Sequence, residues 1–192
     1  MDDEKKIARQ KFAAIRGNYA RPWLEEKSRA VCAWLLEWPV FAEAVHVMGY
    51  LAFGNEVVLD GFLRQAVTLG KKVYVPYVPP GGRKLMRAVE LLSFSGLVRG
   101  RYGIRTPENT DVSIDPGRLD LVLAPGLAFT EEGGRLGMGA GYYDRFLADL
   151  KETVKAGIAL TPQIAPELPF TDRDVKMDFL VSERGIAICR QI

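Results

Sequence analysis

The chain predicts an α/β domain in three layers (α/β/α), with a mostly parallel, Rossmann-like sheet packed between helices. Three observations predict it. Short apolar runs alternate with segments of helical periodicity along the chain. Some runs, residues 119–124 above all (Leu-Asp-Leu-Val-Leu-Ala), are apolar almost throughout, as strands covered on both faces of a parallel sheet must be. Hydrophobic residues make up 48% of the 192 residues, enough for the core of one domain spanning 1–192.

The elements follow in order. Residues 3–16 place Ile7, Phe12 and Ile15 among charges, a loose amphipathic helix that Gly17 and Asn18 end. Pro22 suits a first helical position, and 22–37 carries Leu24, Val31, Trp34 and Leu35 near helical spacing. Residues 45–51 read as the first strand. Asn55 would cap a helix over 56–69 that Gly70 stops. Residues 72–78 are a second strand, 79–82 (Pro-Pro-Gly-Gly) a turn, and 85–90 a returning strand. Residues 91–118, rich in Gly, Pro and Asp, read as long loops. The strand 119–124 ends at Pro125, and a glycine-rich loop then leads into a helix over 142–151. A strand over 154–160, a turn at Thr161 and Pro162, and short strands over 178–181 and 185–189 complete the chain. Ligands of such sheets bind beyond the carboxyl ends of the strands. The loops carrying Glu56, Tyr77 and residues 135–144 should therefore converge.

Bulk properties exclude several classes. A formal net charge of +2 is too small to argue for nucleic acid. Two cysteines, Cys32 and Cys189, lie far apart and lack metal-ligand spacing, so neither a disulfide framework nor a zinc site is expected. Cys32 reads as a small buried hydrophobe. The charged N-terminus has no apolar signal region, and no run approaches the roughly 20 apolar residues of a membrane span. A soluble, cytoplasmic protein, a monomer or small homo-oligomer, is the expectation. The lone histidine, His46, falls in a strand and reads as structural, which removes the usual residue of triad and imidazole acid–base chemistry. The basic segment with Lys5, Lys6, Arg9, Lys11, Arg16 and Arg21 is either a solvated helix face or a reach toward a ligand phosphate.

The stretch 135–144, Arg-Leu-Gly-Met-Gly-Ala-Gly-Tyr-Tyr-Asp, carries the functional signal. Gly137, Gly139 and Gly141 permit positive φ and close approach of a ligand to the backbone. A helix starting at Tyr142 would add free N–H groups, Arg135 a bidentate phosphate clamp, and Asp144 a magnesium ligand. Glycine-rich turns between strand and helix are also common, and most bind nothing. The spacing matches neither the dinucleotide fingerprint, since the third glycine comes one residue early, nor the P-loop, which needs a lysine.

With the anchor Pro-Gly-Leu-Ala-Phe at 125–129, followed by Gly-Arg-Leu-Gly-Met-Gly-Ala-Gly-Tyr-Tyr-Asp-Arg at 134–145, the chain resembles the 5-formyltetrahydrofolate cyclo-ligase (5,10-methenyltetrahydrofolate synthetase) family over most of its length. Further support comes from Lys5 and Arg9, Tyr50 and Leu51, Asn55 to Val57, Val75 and Pro76, Tyr102 to Ile104, Gln163, and Asp174 with Asp178. The resemblance implies an enzyme that uses ATP and Mg2+ to convert 5-formyltetrahydrofolate to the 5,10-methenyl form, releasing ADP and phosphate. The formyl oxygen would attack the γ-phosphoryl group, and N10 would then displace phosphate.

Carried over by motif, Lys5 and Arg9, four apart on one helix face, would contact ATP phosphates, and Arg135, Leu136, Gly137, Met138, Gly139, Ala140, Gly141, Tyr142 and Tyr143 would wrap them. Arg135 and Asp144 would be catalytic, and Asp144 and Asp174 would hold magnesium. Leu51, Glu56 and Tyr142 would bind the folate, with Glu56 accepting from the pterin N–H edge. Without the resemblance, Lys5 and Arg9 read as a solvated face, Glu56 as a charge in a helix first turn, Tyr142 as packing and Asp174 as an exposed acid. The chain departs from the family pattern at Leu59, where threonine is usual, at Thr106, where glutamate is usual, and at Arg173, where histidine is usual. A non-catalytic folate- or nucleotide-binding protein that kept the loop is the alternative. Its room comes from Leu59 and Thr106. A phosphosugar or acyl-transfer enzyme would need a base or nucleophile that the chain does not offer.

Overall fold

The computed structural model describes residues 2–80, 85–100 and 103–189. Two expectations fall partly outside these residues: the turn at 79–82 includes Gly81 and Gly82, and the family segment at 102–104 includes Tyr102. The helices are α1 (Asp2–Gly17), α2 (Arg21–Leu36), α3 (Pro39–Glu43), α4 (Asp60–Thr68) and α5 (Tyr142–Leu147). The strands up to the middle of the chain are β1 (His46–Met48), β2 (Lys72–Tyr77), β3 (Arg87–Glu90), β4 (Leu97–Arg99), β5 (Arg105–Pro107) and β6 (Ser113–Ile114). The rest are β7 (Leu121–Pro125), β8 (Ala128–Phe129), β9 (Arg135–Leu136), β10 (Val154–Ile158), β11 (Phe179–Ser182) and β12 (Gly185–Ile188).

Eight strands form one sheet in the order β12-β11-β10-β7-β1-β2-β3-β6. The five from β11 to β2 are parallel, β12 at one edge and β3 at the other run against them, and β6 pairs antiparallel with β3. Alternation divides the core. Val47, Val73, Val75, Leu121 and Leu123 face one cluster with Leu24 and Val31 of α2, Phe41 of α3 and Phe62 of α4. Met48, Tyr74, Val122 and Ala124 face the other, with Phe146 and Leu147 of α5. These are the three layers expected, and both faces of the central strands are covered, which is why they read as continuous apolar runs. Among the described residues no helix is long and apolar enough to cross a membrane. Cys32 is half-buried and Cys189 buried, both free.

The chain steps from β1 to β2 on one side and returns to β7 on the other. The carboxyl ends of β1 and β7 thus flank the point where strand order reverses, the place an open α/β sheet offers a ligand.

Three local expectations are corrected, and one helix is unexpected. Asn55 caps no helix: α4 starts at Asp60, with Leu59 as its N-cap. The Asn55 amide instead donates to the carbonyls of Arg16 and Gly17, 3.0 and 3.3 Å away, and Val57 and Leu59 are buried in the core ahead of α4. The helix expected over 142–151 stops at Leu147. Residues 91–118 contain a hairpin of β4 and β5 and the edge strand β6 rather than loops alone. The five-residue α3 is too short to leave a periodic signal.

Candidate active site

A cleft of about 220 Å³ opens at the carboxyl ends of the central strands. Tyr50 and Leu51 after β1, Tyr77 at the end of β2, and Pro125 and Gly126 at the end of β7 form its floor. Glu56, Arg135, Gly137, Tyr142 and Asp144 also line it. Ile104, Arg105 and Thr106 of the hairpin complete the lining. The loops carrying Glu56, Tyr77 and residues 135–144 do meet.

The glycine loop is fixed by what flanks it. Arg135 and Leu136 form β9, paired with Phe129 and Ala128 of β8. Gln163 supports the preceding turn: its buried amide donates to the Gly126 and Leu127 carbonyls at 3.0 and 3.1 Å. Gly139 and Gly141 have φ of +100° and +67°, values that L side chains rarely adopt. The loop turns into α5 with Gly141 as N-cap. With only six residues in α5, the loop backbone and the nearby cations, rather than a long helix dipole, must carry any anion.

Arg135 is nearly fully buried. Its Nη2 donates to Asp144 Oδ1 at 2.7 Å and its Nη1 to the Pro125 carbonyl at 3.2 Å. Its Nε and the Tyr143 hydroxyl, both buried, have no hydrogen-bond partner among the described residues. The guanidinium lies 5.4 Å from the Tyr143 ring centroid. Burial holds the Tyr143 hydroxyl firmly protonated, and the charge of Glu56 pushes the same way.

The basic segment of α1 divides by helix face. Lys6, Lys11 and Arg21 are exposed, whereas Lys5, Arg9 and Arg16 turn inward. Lys5 Nζ pairs with Asp174, whose carboxylate also accepts from the Thr171 N–H and hydroxyl at 2.6 and 2.8 Å. Arg9 Nε donates to the Gly137 carbonyl at 3.2 Å, which ties α1 to the glycine loop. Lys5 is one turn from Arg9, so the Lys5–Asp174 pair sits beside that loop, while neither residue lines the main cleft. Met138 is 63% exposed and separates the cleft from a shallower groove lined by Arg9, Arg16, Gly54 and Asn55.

Glu56 is close to buried, with 12% of its side chain exposed. Its Oε2 accepts from the Phe53 N–H at 2.9 Å, and its Oε1 lies 3.4 Å from Arg16 Nη1. It therefore sits on a fixed loop, not in the first turn of a helix. Burial pushes its carboxyl above the usual range, against the opposing pull of the Phe53 N–H and of Arg16. Leu51 is buried beside it, and Tyr142 stands half-buried opposite.

Among the described residues no cluster of three or more His, Cys, Asp or Glu could hold a metal alone. That still fits magnesium with a nucleotide, which takes one or two carboxylates plus phosphate oxygens. Asp144 and Asp174 supply hard oxygen ligands, each held beside a cation.

The departures have distinct places. Leu59 is a fully buried core residue. Arg173 is exposed and Asp174 is paired with Lys5 instead. Thr106 is buried in the cleft wall, its hydroxyl without a hydrogen-bond partner among the described residues. Sequence reasoning gave no role to Arg105, which pairs bidentately with Asp60 at 2.6 and 2.8 Å, or to the particular partner of Arg16. No local motif marks either contact, because each joins segments about 40 residues apart.

Comparison with known proteins gives a consistent result. The model of the 5-formyltetrahydrofolate cyclo-ligase family matches residues 1–183. The chain is 30% identical over 186 residues to a probable 5-formyltetrahydrofolate cyclo-ligase of Caenorhabditis elegans, covering 91% of this chain and 90% of that one. It is 29% identical over 161 residues to the Escherichia coli K12 5-formyltetrahydrofolate cyclo-ligase, covering 82% and 88%. The solved Aquifex aeolicus 5,10-methenyltetrahydrofolate synthetase superposes with a TM-score of 0.85 at 30% identity, over 97% of this chain and 93% of that one.

Proposed function

Because the chain belongs to the 5-formyltetrahydrofolate cyclo-ligase family and is a ligase of that activity, we propose that it works with ATP and magnesium through the two walls of the cleft. The observation that carries this reading is one largely buried acid, Glu56, lining the same cleft as the glycine loop and the Arg135–Asp144 pair.

The folate enters on the Glu56 side. A carboxylate is a two-acceptor group, and the pterin edge presents adjacent N–H donors, so the match is bidentate. Leu51 and Tyr142 pack on the ring. The triphosphate lies along residues 135–143, where Lys5, Arg9 and Arg135 offset its charge. Asp144 and Asp174 hold magnesium, which when bound screens the phosphate oxygens and orients them. An amide-like formyl oxygen is a poor leaving group. It attacks the γ-phosphoryl group, ADP departs, and N10 then attacks the activated carbon to close the ring, the expelled phosphate taking the N10 proton. Little proton chemistry is asked of the protein. Positioning and charge compensation dominate, which suits a site built of arginine, backbone N–H groups and carboxylates. Arg135 is the residue best placed to meet charge developing on the transferred group, since its buried Nε has no hydrogen-bond partner among the described residues. The need for ATP is met in the cytoplasm.

The test is direct. With 5-formyltetrahydrofolate, ATP and magnesium, near-ultraviolet absorbance of the methenyl product should rise, and it should stop when a chelator removes magnesium. Absence of product from fresh substrate would sink the catalytic reading and leave a binding protein. Turnover undiminished by chelation would remove the metal from it.

A further inference from the structure

Arg16 is 8% exposed at the end of α1. A buried guanidinium is tolerated when paired, and removal of one partner strands the other charge. The acid bonded to Arg16 is Glu56, 3.4 Å from its Nη1, and the same Nη1 reaches the Gly126 carbonyl at 3.4 Å. Both arms are longer than an ideal charge-assisted bond, so the guanidinium acts as a shared positive charge between β7 and the Glu56 loop. The Asn55 amide fastens that loop to the same turn of α1. The other groups facing Glu56 are phenols, Tyr50 and Tyr143, both held neutral by burial, and beyond Tyr143 lies Arg135, engaged by Asp144 and Pro125.

We propose that Arg16 is a positioning residue that holds the Glu56 carboxylate in the cleft, so that α1 serves both substrates from one face. This rests on Glu56 being the pterin acid. Burial already drives the Glu56 carboxyl upward, and Arg16 and the Phe53 N–H oppose it. Without Arg16 the carboxyl rises further. A protonated Glu56 offers a donor where the pterin edge needs two acceptors, so folate affinity falls at neutral pH and recovers as pH rises and the carboxyl ionises.

The experiment measures the 5-formyltetrahydrofolate dissociation constant from about pH 6 to about pH 8.5 for wild type, Arg16→Gln, Arg16→Lys, Glu56→Gln and the Arg16→Gln/Glu56→Gln pair, with melting temperature alongside. Arg16→Gln should weaken binding about tenfold at pH 7 and recover most of that at high pH. Glu56→Gln should be weak at every pH, and adding Arg16→Gln to it should change little. A pH-independent loss in Arg16→Gln, or losses that add in the pair, would overturn the proposal. If Glu56→Gln binds folate like wild type, the pterin assignment itself falls and takes the proposal with it. Should Arg16→Gln fail to fold, Arg16→Lys decides. Its single ammonium cannot span Glu56 and Gly126 equally, so the pH of half-lost binding should move up by a smaller amount, and an unmoved value refutes the idea.

Discussion

The acids proposed for the two substrates are held in opposite ways. On the proposed phosphate side each acid has a cation of its own. Partial burial pushes Asp174 upward, but the hydrogen bonds from Lys5 and Thr171 outweigh it and hold the carboxyl below its usual range. Asp144 is paired with Arg135. On the folate wall, burial of Glu56 outweighs its partners and the carboxyl rises. The difference shows what each wall is prepared to receive. A magnesium nucleotide brings both signs of charge, so on the proposed reading the paired cations turn to phosphate and the paired acids to metal, with little change in net charge. Folate brings neutral N–H donors, and an under-compensated acid has most to gain from them. Breaking the phosphate wall should therefore cost rate or ATP KM, and breaking the folate wall should cost folate affinity.

The sharpest break of that comparison is Asp144→Asn. It leaves Arg135 without its anionic partner and removes a proposed metal ligand. We expect kcat to fall about 10²–10³-fold with folate affinity nearly unchanged, read from initial rates of methenyl product and from folate titration. Next comes Glu56→Ala, where the folate dissociation constant should rise about 10–10²-fold before kcat suffers, the scale of hydrogen bonds to a charged group. An unchanged folate constant would place the pterin edge elsewhere.

The same division governs what could be read from the sequence. The glycine loop is one contiguous stretch, 134–145, so the order and spacing of its residues carried the family resemblance. The central strands were legible because both faces are buried, as the alternation of Leu121 and Leu123 against Val122 and Ala124 shows. The folate wall is assembled from α1, the loop after β1 and the β4–β5 hairpin. Its contacts, Arg16 to Glu56 and Arg105 to Asp60, join segments with no shared periodicity. Asn55 misled for a related reason: its amide had a tertiary acceptor at the end of α1, which won over the local cap.

A smaller effect is expected within the phosphate wall. Gly139 has φ +100°, and an added Cβ would lie 3.3 Å from Arg9 Nε. Gly139→Ala strains the backbone by about 1–2 kcal/mol and crowds the arginine that braces the loop. The KM for ATP should rise about tenfold and folate binding should stay put. A change in folate affinity as large as that in ATP would mean the loop serves both walls equally.

The smallest effect tests whether the hairpin belongs to the folate wall at all. Arg105 lines the cleft yet spends both guanidinium nitrogens on Asp60 at the start of α4, and Arg64 of α4 stacks 3.9 Å from the Phe94 ring just before the hairpin. The two contacts clamp β4 and β5 onto α4, which sets the position of Ile104 and Thr106 in the wall. The Arg105–Asp60 pair is partly exposed, 37% and 24%, so its loss should cost less than about 1 kcal/mol of stability. Function should register it as a loosened wall: about a two- to fivefold rise in the folate dissociation constant, with the KM for ATP unmoved. If Arg105 acts only through Asp60, Arg105→Leu and Asp60→Asn should match, and the pair should be no worse than either. If Arg105→Leu is clearly the more damaging, its guanidinium turns to the folate when the substrate is bound, and the hairpin is a ligand-binding element rather than a clamped wall.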